Sequence, residues 1–565
     1  MVCNRKYLLN VLRGYNANVS VASDNGDVSH LYTTWNIARN KSDAASLAMR
    51  NGLDQELSDG IDSFCFETMN PDSVDETVLN RAARNVLRLK FMANLFDNTT
   101  AQPDANTVRT ISSLGFSCFL CFTLKHQHQQ VQDKLLTPET RALAIDATRK
   151  SIVLLVNNET HGLPFSEQRV SNSRILITGM LGGGCDDRRI PSDKLCSART
   201  ALVGGYAPQF NENILTIEES FREYMRGKQG RVLYKTGASA CFSSNKSLAL
   251  DAANEIRDND LVLVVVGDTG DKDPTCETCG EGKDRTSLSL SGTQLDLTRT
   301  MLDAAIKRNN VSVVLVLIHG RPISFHDGVH SFDSSYVLKH TGLTSVISLG
   351  RPGPFAGPAL IDLMLGHHQF YGKLSRTWPA NTGQVNAASA PWFQLPLRGG
   401  GISDRYAFDE PQAPLFRFLH GIIPATNFTF SDLTVVKHTT SSLFLNISVR
   451  VSNAGSKAGS AVVAVFYSPP FVSGILRYPR RLVAFTRAFV NPGESIVVKD
   501  LVVNVDRDLT RWDEYENKFV LDQGEYGIHV GDCAVTGVLP QSDEACSHVQ
   551  VSETVSIYSS STRYV

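Results

Sequence analysis

Between residues 138 and 380 the chain repeats an arrangement that few folds can accommodate. Short, continuously apolar runs alternate with stretches of helical periodicity. The runs are RILITG (Arg174–Gly179), LVLVVVG (Leu261–Gly267), VSVVLVLIHG (Val311–Gly320) and TSVISLG (Thr344–Gly350). A strand that is apolar on both sides has to be covered on both sides, which is the condition of a parallel sheet in an α/β domain. The helical segments PETRALAIDATRKSIVLL, LALDAANEIRD, SGTQLDLTRTMLDAAIKR and AGPALIDLMLG supply that cover. The expected domain over 138–380 is therefore an α/β sandwich with a parallel sheet. Ligands of such sheets sit beyond the strand C-termini, where the long loop Gly267–Arg285 falls.

Beyond this region the grammar changes. Residues 381–427 are a Pro/Gly-rich linker. From Phe428 to about residue 553 come short alternating strands, LFLNISVRVSN, AVVAVFYS, RLVAFTRAFV, SIVVKDLVVNV and GEYGIHVG, with turns at NAGSKAG and NPGES. Alternation at that spacing predicts a β-sandwich of fibronectin III or immunoglobulin kind. Residues 1–97 read as a strand, VSVA (Val19–Ala22), a turn, SDNGDV (Ser23–Val28), and helices over Lys41–Gly52 and Asp75–Phe96. A carboxylate at a strand-to-helix turn is where barrel enzymes place reacting groups, so Asp24 stands out; Asp at such a turn is also a common helix cap. Residues 98–137 form a linker. Its middle, 108–132, turns abruptly apolar and then Gln/His-biased, and reads as a retained intron or a surface insertion.

Bulk properties exclude several classes. A net charge of −2 without a basic block gives no handle for nucleic acid or anionic membrane. The longest apolar runs fall short of the roughly 20 residues of a membrane span. The N-terminus reads as lacking a signal peptide. Eight N-x-S/T sequons (Asn18, Asn40, Asn98, Asn158, Asn245, Asn310, Asn427 and Asn446) and the close cysteine pairs Cys185/Cys196, Cys276/Cys279 and Cys533/Cys546 lean toward an extracellular or secretory-pathway protein, lysosomal included. Cys276-x-x-Cys279 lacks a second ligand pair for zinc and reads as a loop disulfide or free thiols. HQHQQ (His126–Gln130) is composition bias rather than a metal site, so no metal is expected. GMLGGGCDD (Gly179–Asp187) lacks the Lys-Ser/Thr of a phosphate loop. His319 either lines a domain interface or has a capping or core role.

The order of several strings resembles glycoside hydrolase family 3, particularly its β-xylosidase-like members. NRKYLLNVLRG followed by SDNGDV is similar to the family's approach to its nucleophile, and AASLAMRNGLDQELSDG to its A-x-x-A-x-x-A-G-x-D-x-E/D segment. TRKSIVLLVNN resembles the opening of the family's second domain. EGKDRTSLSLSGTQ resembles its E-G-x-D-R-x-x-L-x-L-P-x-x-Q loop, with Ser291 in place of Pro; GRPGPFAGPALIDLMLG and GKLSRTWP resemble two further strings. The resemblance implies a retaining exo-glycosidase that releases β-linked sugars from non-reducing ends of an oligosaccharide or glycoside, using two carboxyl groups and no cofactor. Asp24 matches the nucleophile. Glu281 is the nearest match to the general acid and Glu277 the reserve, because Cys279 stands where the first Glu of the family's E-x-E-G would be. Asp284–Arg285 reads otherwise as a surface ion pair. On this resemblance residues 1–97 are the C-terminal part of a (β/α)8 barrel whose sugar-gripping strands precede the nucleophile. Two outcomes follow: a glycosidase recorded without its N-terminal part, or a truncated homologue that binds sugar or protein without catalysis.

Overall fold

The buried-type runs form the centre of a six-stranded sheet, in a computed structural model of the chain. It describes residues 8–9, 12–13, 18–57, 65–93, 95–96, 137–185, 196–204, 214–239, 244–270, 276–325, 335–380, 382, 414–439, 442–475, 477, 480–532 and 550–557. The chain divides into two units, Met1–Val131 and Gln132–Val565. The segment 108–132, the HQHQQ string and Cys533/Cys546 lie outside the described residues.

In the second unit the sheet comprises β3 (Val153–Asn157), β4 (Arg174–Thr178), β5 (Arg231–Lys235), β6 (Leu261–Gly267), β7 (Ser312–Ile318) and β8 (Leu343–Gly350), in the order β3-β8-β7-β6-β4-β5. All neighbours are parallel except β3, which runs antiparallel to β8. The expected parallel sheet is present, with β3 as one antiparallel edge strand. Every residue of β6 and β7 is buried. Ile175, Ile177, Leu263, Val265, Val314 and Val316 pack on one face against α7 (Ile217–Tyr224) and α11 (Ala356–Met364). Leu176, Val262, Val264, Leu315 and Leu317 pack on the other against α8 (Ser247–Ala253) and α9 (Gln294–Ala305). Each such side chain contributes about 1.5–3 kcal/mol by leaving water. The strand β5 escapes a reading of apolar runs because it is a half-exposed edge.

The connections of the sheet reverse direction once. From β4 the order proceeds to β5; β6 then sits on the opposite side of β4, and β7 and β8 continue away from it. The C-terminal ends of β4 and β6 thus flank a switch point, the usual location of a crevice in open α/β sheets.

The remainder of the unit is an antiparallel sandwich. One sheet is β13-β10-β9, with β9 (Phe428–Thr439), β10 (Leu443–Asn453) and β13 (Ser495–Asn504); the other is β12-β11-β16-β17, with β11 (Gly459–Ser468), β12 (Arg481–Val490), β16 (Gly524–Gly531) and β17 (Gln550–Ile557). Leu445, Ile447, Val449 and Val451 face Val463, Val465 and Tyr467 in its core. Tyr526 is fully buried and donates its hydroxyl to Asp522 O at 2.8 Å, pinning the chain at the entry to β16.

The first unit pairs β1 (Ala22–Asn25) in parallel with β2 (Gln55–Leu57). Helix α1 (Asp27–Thr33), helix α2 (Lys41–Arg50) and helix α3 (Glu76–Met92) accompany them, over a small core of Val28, Leu31, Ala44, Ala45, Ala48 and Leu53. Asn40 and Asp75 cap α2 and α3 by accepting from Asp43 N and Thr77 N. The described residues close no barrel. Leu87, Leu89, Phe91 and Met92 near the end of α3 are 46–74% exposed.

Candidate active site

Ser23 and Asp24 point opposite ways at the end of β1. Ser23 is buried and its Oγ accepts from Leu57 N at 2.9 Å, which ties β1 to β2. Asp24 is exposed, and Oδ1 accepts from Asn25 N at 2.7 Å, its one donor among the described residues. The alternative role of Asp24 as a helix cap is not realised: the N-cap of α1 is Gly26, at φ 73°, and no side chain caps that helix.

The neighbouring carboxylates are consumed by the scaffold. Asp54 accepts from Arg13 at 2.5 Å, Arg81 Nε at 3.2 Å, Asn85 Nδ2 at 3.1 Å and Val21 N at 3.0 Å. Glu56, also buried, accepts from Cys65 N and Phe66 N at 2.8–3.0 Å and holds the turn after β2. The D-x-E of the LDQELS string is therefore structural on both counts.

The loop after β6 begins from a rigid base. Gly267 has φ 145°, and a Cβ there would stand 1.8 Å from Ile318 O, so no larger residue fits. Gln294 clamps it, accepting from Gly267 N at 2.8 Å and donating to Gly267 O at 2.9 Å. Thr269 and Thr278 exchange two backbone-to-hydroxyl bonds at 2.9 Å and close the loop's neck. On that loop Glu277 pairs with Lys283 at 2.5 Å, whereas Glu281 is exposed. Asp284 and Arg285 form no ion pair with each other. Cys276 is in a disulfide but Cys279 is a free thiol, so the two do not pair. Cys185 and Cys196 do form a disulfide.

The structure adds a charged cluster that pattern reading missed. Asp268, directly after β6, is 1% exposed; Oδ1 accepts from Arg321 at 2.8 Å and Oδ2 has no partner. Arg351 donates to Ala201 O, Asp268 O and Thr269 O at 2.7–2.9 Å. Burial pushes the Asp268 carboxyl up, against the pull of Arg321, Arg351 and Arg285. His319 beside it contacts Ser348 Oγ at 2.8 Å through Nε2 and sets its ring edge-on to Trp378. Burial of the ring, assisted by Arg351, lowers its pKa to about 4, which keeps this partly exposed residue's imidazole neutral. The one available signal was a lone carboxylate closing a seven-residue apolar strand.

The glycine loop after β4 holds the protein's own carboxylate. Gly184 N donates to Glu218 Oε2 at 2.8 Å, and a Cβ on Gly183 would meet that oxygen at 2.2 Å. Among the described residues no group of three His, Cys, Asp or Glu is placed to hold a metal ion.

The glycosyl hydrolase family 3 C-terminal domain matches residues 152–422, the six-stranded sheet and its helices, and the fibronectin type III-like domain matches 461–534 in the sandwich. Residues 152–422 are thus a C-terminal domain of glycoside hydrolase family 3. A β-xylosidase of Formosa agariphila is 26% identical over 531 residues, covering 90% of this chain and 62% of its own. A probable β-D-xylosidase 7 of Arabidopsis thaliana is 25% identical, with coverages of 92% and 62%. The fold is also that of a β-glucosidase from Listeria innocua in complex with glucose, at a TM-score of 0.71 and 19% identity, covering 98% of this chain and 65% of that one. The chain thus spans about 62% of the length of these curated relatives.

Proposed function

We propose that the chain acts as an exo-glycosidase of β-xylosidase type on non-reducing-end β-linked sugars, with retention, through Asp24 as nucleophile. The observation that carries this is the contrast among the carboxylates around β1 and β2: Asp54 and Glu56 are buried and bonded to the scaffold, while Asp24 is exposed at the C-terminal mouth of its strand. Asp24 would attack the anomeric carbon as Glu281 protonates the departing oxygen. Water would then cleave the glycosyl ester, with Glu281 taking its proton. Glu281 is preferred to Glu277 because Lys283 already engages Glu277. The chemistry requires no cofactor. We place the protein in the secretory pathway or outside the cell, in keeping with the Cys185–Cys196 disulfide.

A second reading, a homologue that binds sugar or protein without hydrolysis, is favoured by the bareness of Asp24. A nucleophile gains its rate from groups that orient it, and Asn25 N is the one donor on its carboxylate among the described residues. Hydrolysis of a nitrophenyl β-xyloside decides between them. Release of nitrophenol that disappears in Asp24→Ala supports the enzyme; a folded wild-type chain without turnover supports the binding homologue.

A further inference from the structure

The outer face of the sandwich sheet β13-β10-β9 carries an asparagine that the fold leaves unused. Asn446 lies on β10, the central strand, directly opposite Val436 of β9 on one side and Val502 of β13 on the other. Side chains paired in this way stand about 5 Å apart at Cβ. All three face solvent, with Val436 59% and Val502 49% exposed. Leu445 and Ile447, to either side of Asn446 in sequence, point into the core. The Asn446 side chain makes no hydrogen bond with any described residue. Ser448, two residues on and therefore on the same face, shares a hydroxyl hydrogen bond with Thr434 at 2.6 Å. Asn446-Ile447-Ser448 is one of the chain's N-x-S/T sequons. The Asn310 sequon is different. Its Nδ2, the atom that a glycan would take, donates to Asn259 Oδ1 at 2.9 Å, and its Ser312 is buried and accepts from Arg169 at 2.7 Å. A glycan on Asn310 would break a bond of the fold; one on Asn446 breaks none.

An apolar strip exposed on both sides of a free sequon asparagine is explained if the asparagine carries its own cover. We propose that Asn446 is N-glycosylated and that the first N-acetylhexosamine of the glycan lies over Val436 and Val502. The sugar's acetyl methyl and C–H groups would take the valines out of water while its hydroxyls stay hydrated. The co-substrate is a polyprenyl-diphosphate-linked oligosaccharide. The bond from Asn446 Nδ2 to C1 of the sugar forms, the C1–O bond to the diphosphate breaks, the diphosphate leaves with the electron pair, and the amide gives up one proton. The inference rests on the secretory placement proposed above and extends it to one residue and one class of modification.

The test is expression of the full chain in eukaryotic cells, once with an added secretion leader and once without, followed by peptide mass spectrometry before and after treatment with a peptide N-glycosidase. That enzyme removes an N-glycan and leaves Asp in place of Asn. In the leader-directed chain the peptide holding Asn446 should carry N-acetylhexosamine before treatment and Asp at this position after it. An unmodified Asn446 in that chain, whatever the other sequons carry, would overturn the site. Treatment of the folded, glycosylated chain should also raise its fluorescence with a dye that binds exposed apolar surface. Asn446→Gln should lose one glycan and show the same rise, and adding Val436→Thr and Val502→Thr should abolish it. Dye fluorescence that is equal with and without the Asn446 glycan would overturn the covering of the valines. The enzymatic arm acts on protein already folded, so it holds even where the variants fold poorly. A leaderless chain without any glycan, beside a leader-directed chain glycosylated at Asn446, would count against the secretory placement while leaving the site in place.

Discussion

Asp54 and Asp268 are both buried aspartates beside arginines, yet their surroundings differ in kind. Asp54 receives four donors, two of them guanidiniums, and both its oxygens are engaged. Asp268 receives one side-chain donor, leaves an oxygen unmet and faces three arginines. A saturated buried charge cluster has no capacity left for a ligand and serves the scaffold. An unsaturated one leaves a buried acceptor unmet and holds its element less firmly.

The largest effect should follow from breaking the saturated member. Asp54→Asn leaves Arg13 and Arg81 without their counter-charge, and loss of one partner of a buried pair costs about 3–5 kcal/mol. In urea denaturation the first unit should lose stability on that scale. Asp268→Asn should cost less than Asp54→Asn, since an amide oxygen still accepts from Arg321 and burial already disfavours the charged form of this carboxyl. Equal losses in the two variants would erase the distinction.

The next effect depends on pH. His319 has its folded pKa lowered to about 4, below the ordinary value of 6.5. Its unfolded form therefore binds the proton first as pH falls. The stability owed to the neutral ring is full above about pH 6.5 and declines toward pH 4, by roughly 3 kcal/mol in all. Asp268 acts in the opposite sense: its raised pKa favours the fold at low pH, and that contribution is lost as pH rises through its folded value. Comparing denaturant midpoints of the wild type and His319→Gln at pH 7.5 and pH 4.5 isolates the histidine. The gap between the two proteins should shrink at the acid end; a constant gap would contradict the account. The smallest effect belongs to the Glu277–Lys283 pair on the outer loop. Glu277→Gln should change stability by less than about 1 kcal/mol and, with Glu281 as the acid, leave xyloside hydrolysis near wild type.

What could be read from the chain follows the range of the interactions. The runs of β6 and β7 were legible because both faces of a central strand demand apolar residues, which is a local property. The strands β10, β12 and β16 were legible from their alternation. The edge strand β5 and the antiparallel course of β3 were not, since an edge mixes polar with apolar residues and direction is set by partners. The roles of Asp54 and Asp268 were hidden for the same reason: Arg13 lies 41 residues from Asp54, and Arg321 lies 53 from Asp268. Asp24 stood out in the chain by its place after a strand, and the structure adds that Gly26 takes the cap, leaving its carboxylate free of the helix.

The most direct test of the central claim is covalent. A retaining glycosidase incubated with a 2-deoxy-2-fluoro-β-xyloside bearing a good leaving group accumulates its glycosyl-enzyme ester. Peptide mass spectrometry should then find one fluoroxylosyl group on the peptide spanning Ser23–Val28, attached to Asp24. A folded, xyloside-hydrolysing chain that carries the label on any other residue, or carries none, would contradict the assignment of Asp24 as nucleophile.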